Sequence, residues 1–176
     1  MERVLASKIQ LGIYIEEVQN EKSTKYNLPF LVELNKDIDV DKFVTSLKKV
    51  IENRRILSSR LSFDEKDNNL YLTCDGKNVE PKIIKTSKID IEKIVRKFNL
   101  LSDNLARFEI YITDNGTYYF QDVHHIICDG TTINEIFSDI EKVYDGKKLG
   151  SEYCDFFKYL GSVKPADEKK QNEEYG

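Results

Sequence analysis

The sequence predicts an α+β protein in which helices pack on a mixed or antiparallel sheet. Three observations carry that expectation. Residues 106–113 (ARFEIYIT) and 117–124 (TYYFQDVH) alternate in strand fashion on either side of Asp114-Asn115-Gly116, a hairpin pattern. Residues 40–51 instead repeat their apolar positions at helical spacing: Val40, Phe43, Val44, Leu47, Val50 and Ile51. Strands also come in hairpin pairs mixed with helices, which favours a layered α+β sheet over a doubly wound parallel one.

Taken in order, Ser7 is placed to cap a helix over 7–18, although Ile9, Ile13, Tyr14 and Ile15 are only partly periodic. Residues 28–35 (LPFLVELN) read as a strand with Phe30, Val32 and Leu34 on one face. Asp39 caps the helix that follows. Leu57, Ser59, Leu61 and Phe63 alternate with Ser58, Arg60 and Ser62 as a strand, and DEKDNN turns it into a second strand near Leu70–Cys74. Asp90 heads a helical set, Ile91, Ile94, Val95 and Phe98, that ends near Asn99. The strand 117–124 then delivers a pair of histidines to a turn. Beyond that turn Thr132 and Glu135 form a T-x-x-E capping pattern for a helix holding Ile133, Ile136, Phe137, Ile140, Val143 and Tyr144. Residues 152–160 (EYCDFFKYL) are read as a short helix, and the sequence past Gly161 becomes polar and charged. The expected organisation is one unit over 1–161 and a polar tail over 162–176.

Composition removes several function classes. A chain of 176 residues is long enough to bury roughly 70% of the surface its unfolded form exposes. Its formal net charge is -4, from 27 basic and 31 acidic residues spread along the chain, which argues against nucleic acid as the main ligand. No apolar run approaches the length of a membrane span, and the opening MERVLASKIQ lacks the pattern of a signal peptide. Cys74, Cys128 and Cys154 are odd in number and form no CxxC pair, so neither a disulfide framework nor a zinc site is encoded. A cytoplasmic, reducing setting is expected.

The whole histidine complement, His124 and His125, lies in VHHIICDGTT, followed by Asp129 and Gly130. A histidine at the end of a strand, with a free ring nitrogen facing a cavity, can take a proton from an attacking amine, hydroxyl or thiol near neutral pH. Asp129 could orient that ring or hold the turn through a cation or the amides at the helix start. Gly130 would let the chain turn tightly. Adjacent strand residues point to opposite faces, so the two rings are poorly placed to share a metal. Cys128 beside them is read as a small packed side chain, not a nucleophile.

The string H-H-I-I-C-D-G fits HHxxxDG and resembles the condensation domains of nonribosomal peptide synthetases, within the wider set of chloramphenicol acetyltransferase-like acyltransferases. Further motifs fall in the same order: S-K-I-Q-L-G-I-Y at 7–14 resembles the family's opening S-x-A-Q-x-R-x-W/Y, and Y-C-D-F-F at 153–157 its Y-x-D-Y-A. N-R-R-I-L-S-S-R-L at 53–61 is a degenerate R-H-E-x-L-R-T-x-F, with Ser58 where the family has arginine; Arg60 is the expected substitute.

The resemblance implies a chloramphenicol acetyltransferase-like layered fold, of which this chain supplies the N-terminal lobe. It implies His125 at the acyl-transfer centre, Gly130 near the thioester carbonyl, and His124 and Asp129 as structural support. No bound cofactor is implied; the substrates ride on phosphopantetheine arms of carrier proteins, which with the second lobe and the other modules are the expected partners. Alone, the lobe is expected to be catalytically silent and prone to self-association. Two other readings stay open: a coenzyme A-dependent acetyltransferase of the chloramphenicol type, whose tunnel forms between subunits, and a non-catalytic carrier-docking domain. An epimerisation domain shares the histidine string as well.

Overall fold

The computed structural model describes residues 2–150. Among these residues twelve elements include seven strands in two sheets. β1 (Glu2–Leu5), β4 (Asn69–Cys74) and β3 (Arg60–Asp64) form an antiparallel three-stranded sheet in the order β1-β4-β3. β2 (Asn27–Glu33), β7 (Gly116–His124), β6 (Ala106–Thr113) and β5 (Lys82–Lys85) form the second sheet in that order. Only its β5–β6 pairing is parallel. The helices are α1 (Lys8–Gln19), α2 (Val40–Asn53), α3 (Ile91–Ile94) and α4 (Gly130–Tyr144).

The β6–β7 hairpin turns on Asp114 and Asn115, with Thr113 paired to Gly116, so the loop sits one residue before the Asn115-Gly116 pair. On one face of this sheet Tyr119 and Val123 of β7 and Ile110 of β6 are fully buried with Leu47 and Val50 of α2 and Ile136 and Ile140 of α4. Phe43 meets the Tyr119 ring at 5.2 Å and Phe137 meets the same ring at 5.9 Å, so both long helices lie against the central strand β7. The opposite face carries Phe120, packed with Tyr111 and Ile94, together with Asp122 and His124.

Several expectations need correction. Residues 55–58 form a 3-10 turn, and the strand begins only at Arg60; Leu61 is buried while Phe63 on the same face is exposed. The helix headed by Asp90 stops at Ile94, because Val95 adopts an extended conformation and the carbonyls beyond it are claimed by other segments. Arg96 O accepts from Asn27 Nδ2 at 2.8 Å and from Arg107 at 2.7 Å, and Lys97 O accepts from Arg107 at 2.8 Å. The helix α4 starts at Gly130 with Asp129 as its cap, not at Thr132 with Glu135. β1 and β5 answer to no pattern read from the sequence. The expected helix at 152–160, the Y-C-D-F-F motif with Asp155, and the tail 162–176 lie outside the described residues.

In α1 the helix-capping expectation holds: Ser7 Oγ accepts from Gln10 N and Gln10 Oε1 accepts from Ser7 N, a reciprocal capping box. The helix is otherwise inverted. Its buried residues are Gln10 and Glu17, seven positions apart on one face, while Ile15 and Val18 are 48% and 56% exposed. Polar side chains buried beneath an apolar exterior imply a task for those polar groups.

Candidate active site

β7 ends at His124 and α4 begins at Gly130, so the turn between them is five residues, 125–129. The two histidines have opposite environments. His124 is fully buried, with the Phe98 ring edge-on at 5.7 Å. Its Nδ1 accepts from the Ile126 N–H at 3.0 Å, and its Nε2 lies 3.1 Å from Glu17 Oε1. The carboxylate of Glu17, 3% exposed, is balanced by Lys97, whose Nζ stands 3.7 Å from Oε2 and donates to Glu17 O at 3.2 Å and Asn20 O at 2.7 Å.

Burial holds His124 below its ordinary value of 6.5, although the Glu17 carboxylate acts the other way. The ring is therefore neutral in the folded protein at neutral pH. Because the unfolded chain takes up the proton first as pH falls below 6.5, the stability held by the neutral ring is present above that value and is lost below it. Urea unfolding between pH 7.5 and 5.5 should show stability declining with acid, and His124→Gln should flatten the slope. An unchanged slope in the variant would contradict this assignment.

His125 is exposed, and among the described residues neither ring nitrogen has a hydrogen-bond partner. Its main chain is fixed instead: the N–H donates to Tyr26 O at 2.8 Å. The Tyr26 ring stands edge-on to the imidazole at 6.2 Å, and its hydroxyl donates to Glu16. The next residue, Ile126, is held at both main-chain polar atoms, its N–H by His124 Nδ1 at 3.0 Å and its carbonyl by Gln10 Nε2 at 2.9 Å.

Asp129 accepts from Thr132 N–H at 2.9 Å and from the Thr132 hydroxyl at 2.8 Å. Those bonds hold its carboxyl below the usual carboxylate range. Of the two roles open to it, capping is the one the structure shows. Gly130 does not serve a tight turn: its φ is not left-handed, and a Cβ built there meets nothing within 4 Å. Its space is empty beside the first-turn amides of α4, which have no intrahelical acceptor. Cys128 packs against the core, and burial pushes its thiol up to about 12, so little nucleophilic thiolate forms near neutrality.

Ser58 is buried and its Oγ accepts from Val79 N at 3.0 Å. Arg60 does not join this cluster: Ser58 lies in the 3-10 turn, so the shared strand face fails, and the Arg60 guanidinium donates to Asn104 at 3.0 Å. The buried cation that reaches α4 is Arg54, only 9% exposed, with Nη2 at 3.0 Å from Asp139 and 3.5 Å from Glu135.

The structure thus brings together His124, His125, Asp129 and Gly130, while Arg60 bonds to Asn104. Sequence reasoning missed Gln10, Glu17, Lys97 and Arg54. Gln10 is the fourth residue of the S-K-I-Q motif, and Glu17 follows it by two helical turns, a spacing that was available. Among the described residues no group of three or more His, Cys, Asp or Glu could hold a metal ion, and no helix is long and apolar enough to cross a membrane.

The strand-to-helix turn thus carries one locked and one exposed histidine on an α+β scaffold, and comparison with known proteins identifies the family. The profile of the Condensation domain matches residues 1–175, and the chain belongs to that family. It is 29% identical over 186 residues to bacitracin synthase 3 of Bacillus licheniformis, covering 96% of this chain and 3% of that protein. It is 27% identical over 176 residues to surfactin synthase subunit 2 of Bacillus subtilis (strain 168), covering 96% of this chain and 5% of that one. The fold is shared with the starter condensation domain of rhizomide synthetase, at a TM-score of 0.79 and 15% identity over 97% of this chain and 44% of the other. The condensation domain of the monacolin K polyketide synthase aligns at a TM-score of 0.80 and 16% identity, over 99% and 41%. The chain therefore spans less than half of the solved condensation domains it matches.

Proposed function

We propose that this chain works as the N-terminal lobe of a peptide-bond-forming condensation domain, with His125 at the reacting centre. The observation that carries the reading is the division between the histidines: His124 is consumed by the turn, while His125 is exposed and, among the described residues, neither of its ring nitrogens has a hydrogen-bond partner. The empty space at Gly130 gives an incoming acyl group access to the start of α4.

The chemistry asked of the site is amide formation. An acceptor α-amine attacks the carbonyl carbon of a donor acyl thioester; the C–N bond forms, the C–S bond breaks, and the donor thiol leaves. One proton passes from the amine to the departing sulfur. His125 takes or positions that proton, a role that requires an accessible ring nitrogen. The thioester supplies the driving force, so neither metal nor nucleotide is required. Both acyl groups would arrive on phosphopantetheine arms of carrier proteins, and a second lobe would supply the facing wall of the cavity.

The test is a polypeptide carrying this lobe with its second lobe, given a donor acyl thioester and an acceptor aminoacyl thioester on carrier proteins. Amide product detected by mass spectrometry, and lost in His125→Ala, supports the reading. Acyl transfer from coenzyme A to a free acceptor instead would favour the acetyltransferase. Carrier binding without product would favour a docking module.

A further inference from the structure

The turn that carries His125 is held by groups the acyl-transfer chemistry does not touch. Both main-chain polar atoms of Ile126 are engaged from α1 and its partner: the carbonyl by Gln10 and the N–H by His124. A main-chain N–H can only donate, so His124 Nδ1 must be the acceptor and its proton must sit on Nε2. That nitrogen faces Glu17 Oε1 at 3.1 Å, and a carboxylate can only accept. The two bonds are compatible with a single tautomer.

We infer that Glu17 is a positioning residue for the histidine turn: its carboxylate fixes the His124 ring proton on Nε2, leaving Nδ1 to hold the Ile126 N–H and with it the backbone that presents His125. The role belongs to a charge-bearing group and not to one of that shape. Glu17 Oε2 lies 3.7 Å from the Lys97 ammonium, which only donates. In Glu17→Gln the amide oxygen turns toward Lys97 and the NH2 toward His124. Nε2 must then accept, the ring proton moves to Nδ1, and it meets the Ile126 N–H head-on.

The inference rests on the acyl-transfer reading for its catalytic consequence alone; the tautomer is read on the 176-residue chain itself. Nitrogen-15 spectra of the imidazoles should show His124 protonated on Nε2 in the unaltered protein at neutral pH. In Glu17→Gln the protonated nitrogen should switch to Nδ1, and exchange of the Ile126 amide should accelerate by about tenfold or more. Lys97→Met, which leaves the carboxylate in place, should keep the Nε2 tautomer. Should Glu17→Gln fail to fold, the other two spectra still decide: His124 protonated on Nδ1 in either would overturn the assignment. In the two-lobe polypeptide Glu17→Gln should lower kcat by roughly tenfold, with little change in KM. A switched tautomer with unchanged kcat would overturn the positioning role. Unchanged turnover in His125→Ala would instead overturn the acyl-transfer reading and leave the tautomer result standing.

Discussion

His125→Ala is expected to lower the rate of thioester-to-amide transfer by about 10²- to 10⁴-fold, the range spanned by a positioned acid-base group. The fold should be indifferent. The imidazole is exposed and makes no side-chain hydrogen bond among the described residues, so its removal orphans no buried polar group there; the main-chain bond to Tyr26 O survives. A stability change within about 0.5 kcal/mol is therefore anticipated. The same replacement at His124 should behave differently, because it removes the acceptor of the buried Ile126 N–H and the ring partner of Glu17 Oε1, at a cost of about 1–3 kcal/mol. Urea unfolding measures one effect and product formation the other. Equal stability losses at both positions would show that the division of labour between the histidines is wrong.

Asp139→Ala is expected to destabilise the protein by about 1–3 kcal/mol, since it removes the buried carboxylate that accepts two bonds from the Arg54 guanidinium while Glu135 continues to face that cation. Asp139 is 2% exposed and takes both Nε and Nη2 of Arg54, at 3.3 and 3.0 Å. Glu135, at 3.5 Å from the same guanidinium, is half-exposed and is the weaker partner. The pair ties the end of α2 to the middle of α4, the helix whose first turn holds Asp129 and Gly130. A loss below about 1 kcal/mol in urea unfolding would place Arg54 with ordinary surface pairs. The finding also bears on Ser58: the cation that seats α4 comes from the end of α2.

What was legible in the sequence is what local pattern dictates. The amphipathic period of α2 and its Asp39 cap appear as written, as does the β6–β7 strand pair, because each buries one face against one neighbour. The strand-to-helix turn followed from those neighbours. What was not legible depends on distant partners. β5 is a four-residue strand that exists by pairing with β6. The periodicity after Asp90 ran on past Ile94, but Asn27 and Arg107 draw the following carbonyls out of helical bonding.

The site divides the same way. The residues of HHxxxDG announced themselves as a cluster, and the structure gathers His124, His125, Asp129 and Gly130 in one turn. Glu17 and Gln10 were hidden in a helix whose exposed positions carry the apolar residues, so a search for an apolar face passed over the polar face that is buried. Lys97 reaches Glu17 across 80 residues of sequence, a pairing no spacing rule encodes. Arg60 was chosen on the assumption that residues 57–63 were one strand, and the 3-10 turn at Arg55–Ser58 removed that assumption.

The central claim is that His125 needs a second wall before it can act. The most direct measurement is amide formation from carrier-bound donor and acceptor thioesters, made in parallel with the 176-residue chain and with the polypeptide that adds the second lobe. Product from the two-lobe polypeptide and none from the chain alone is the predicted result; steady turnover by the chain alone would contradict it.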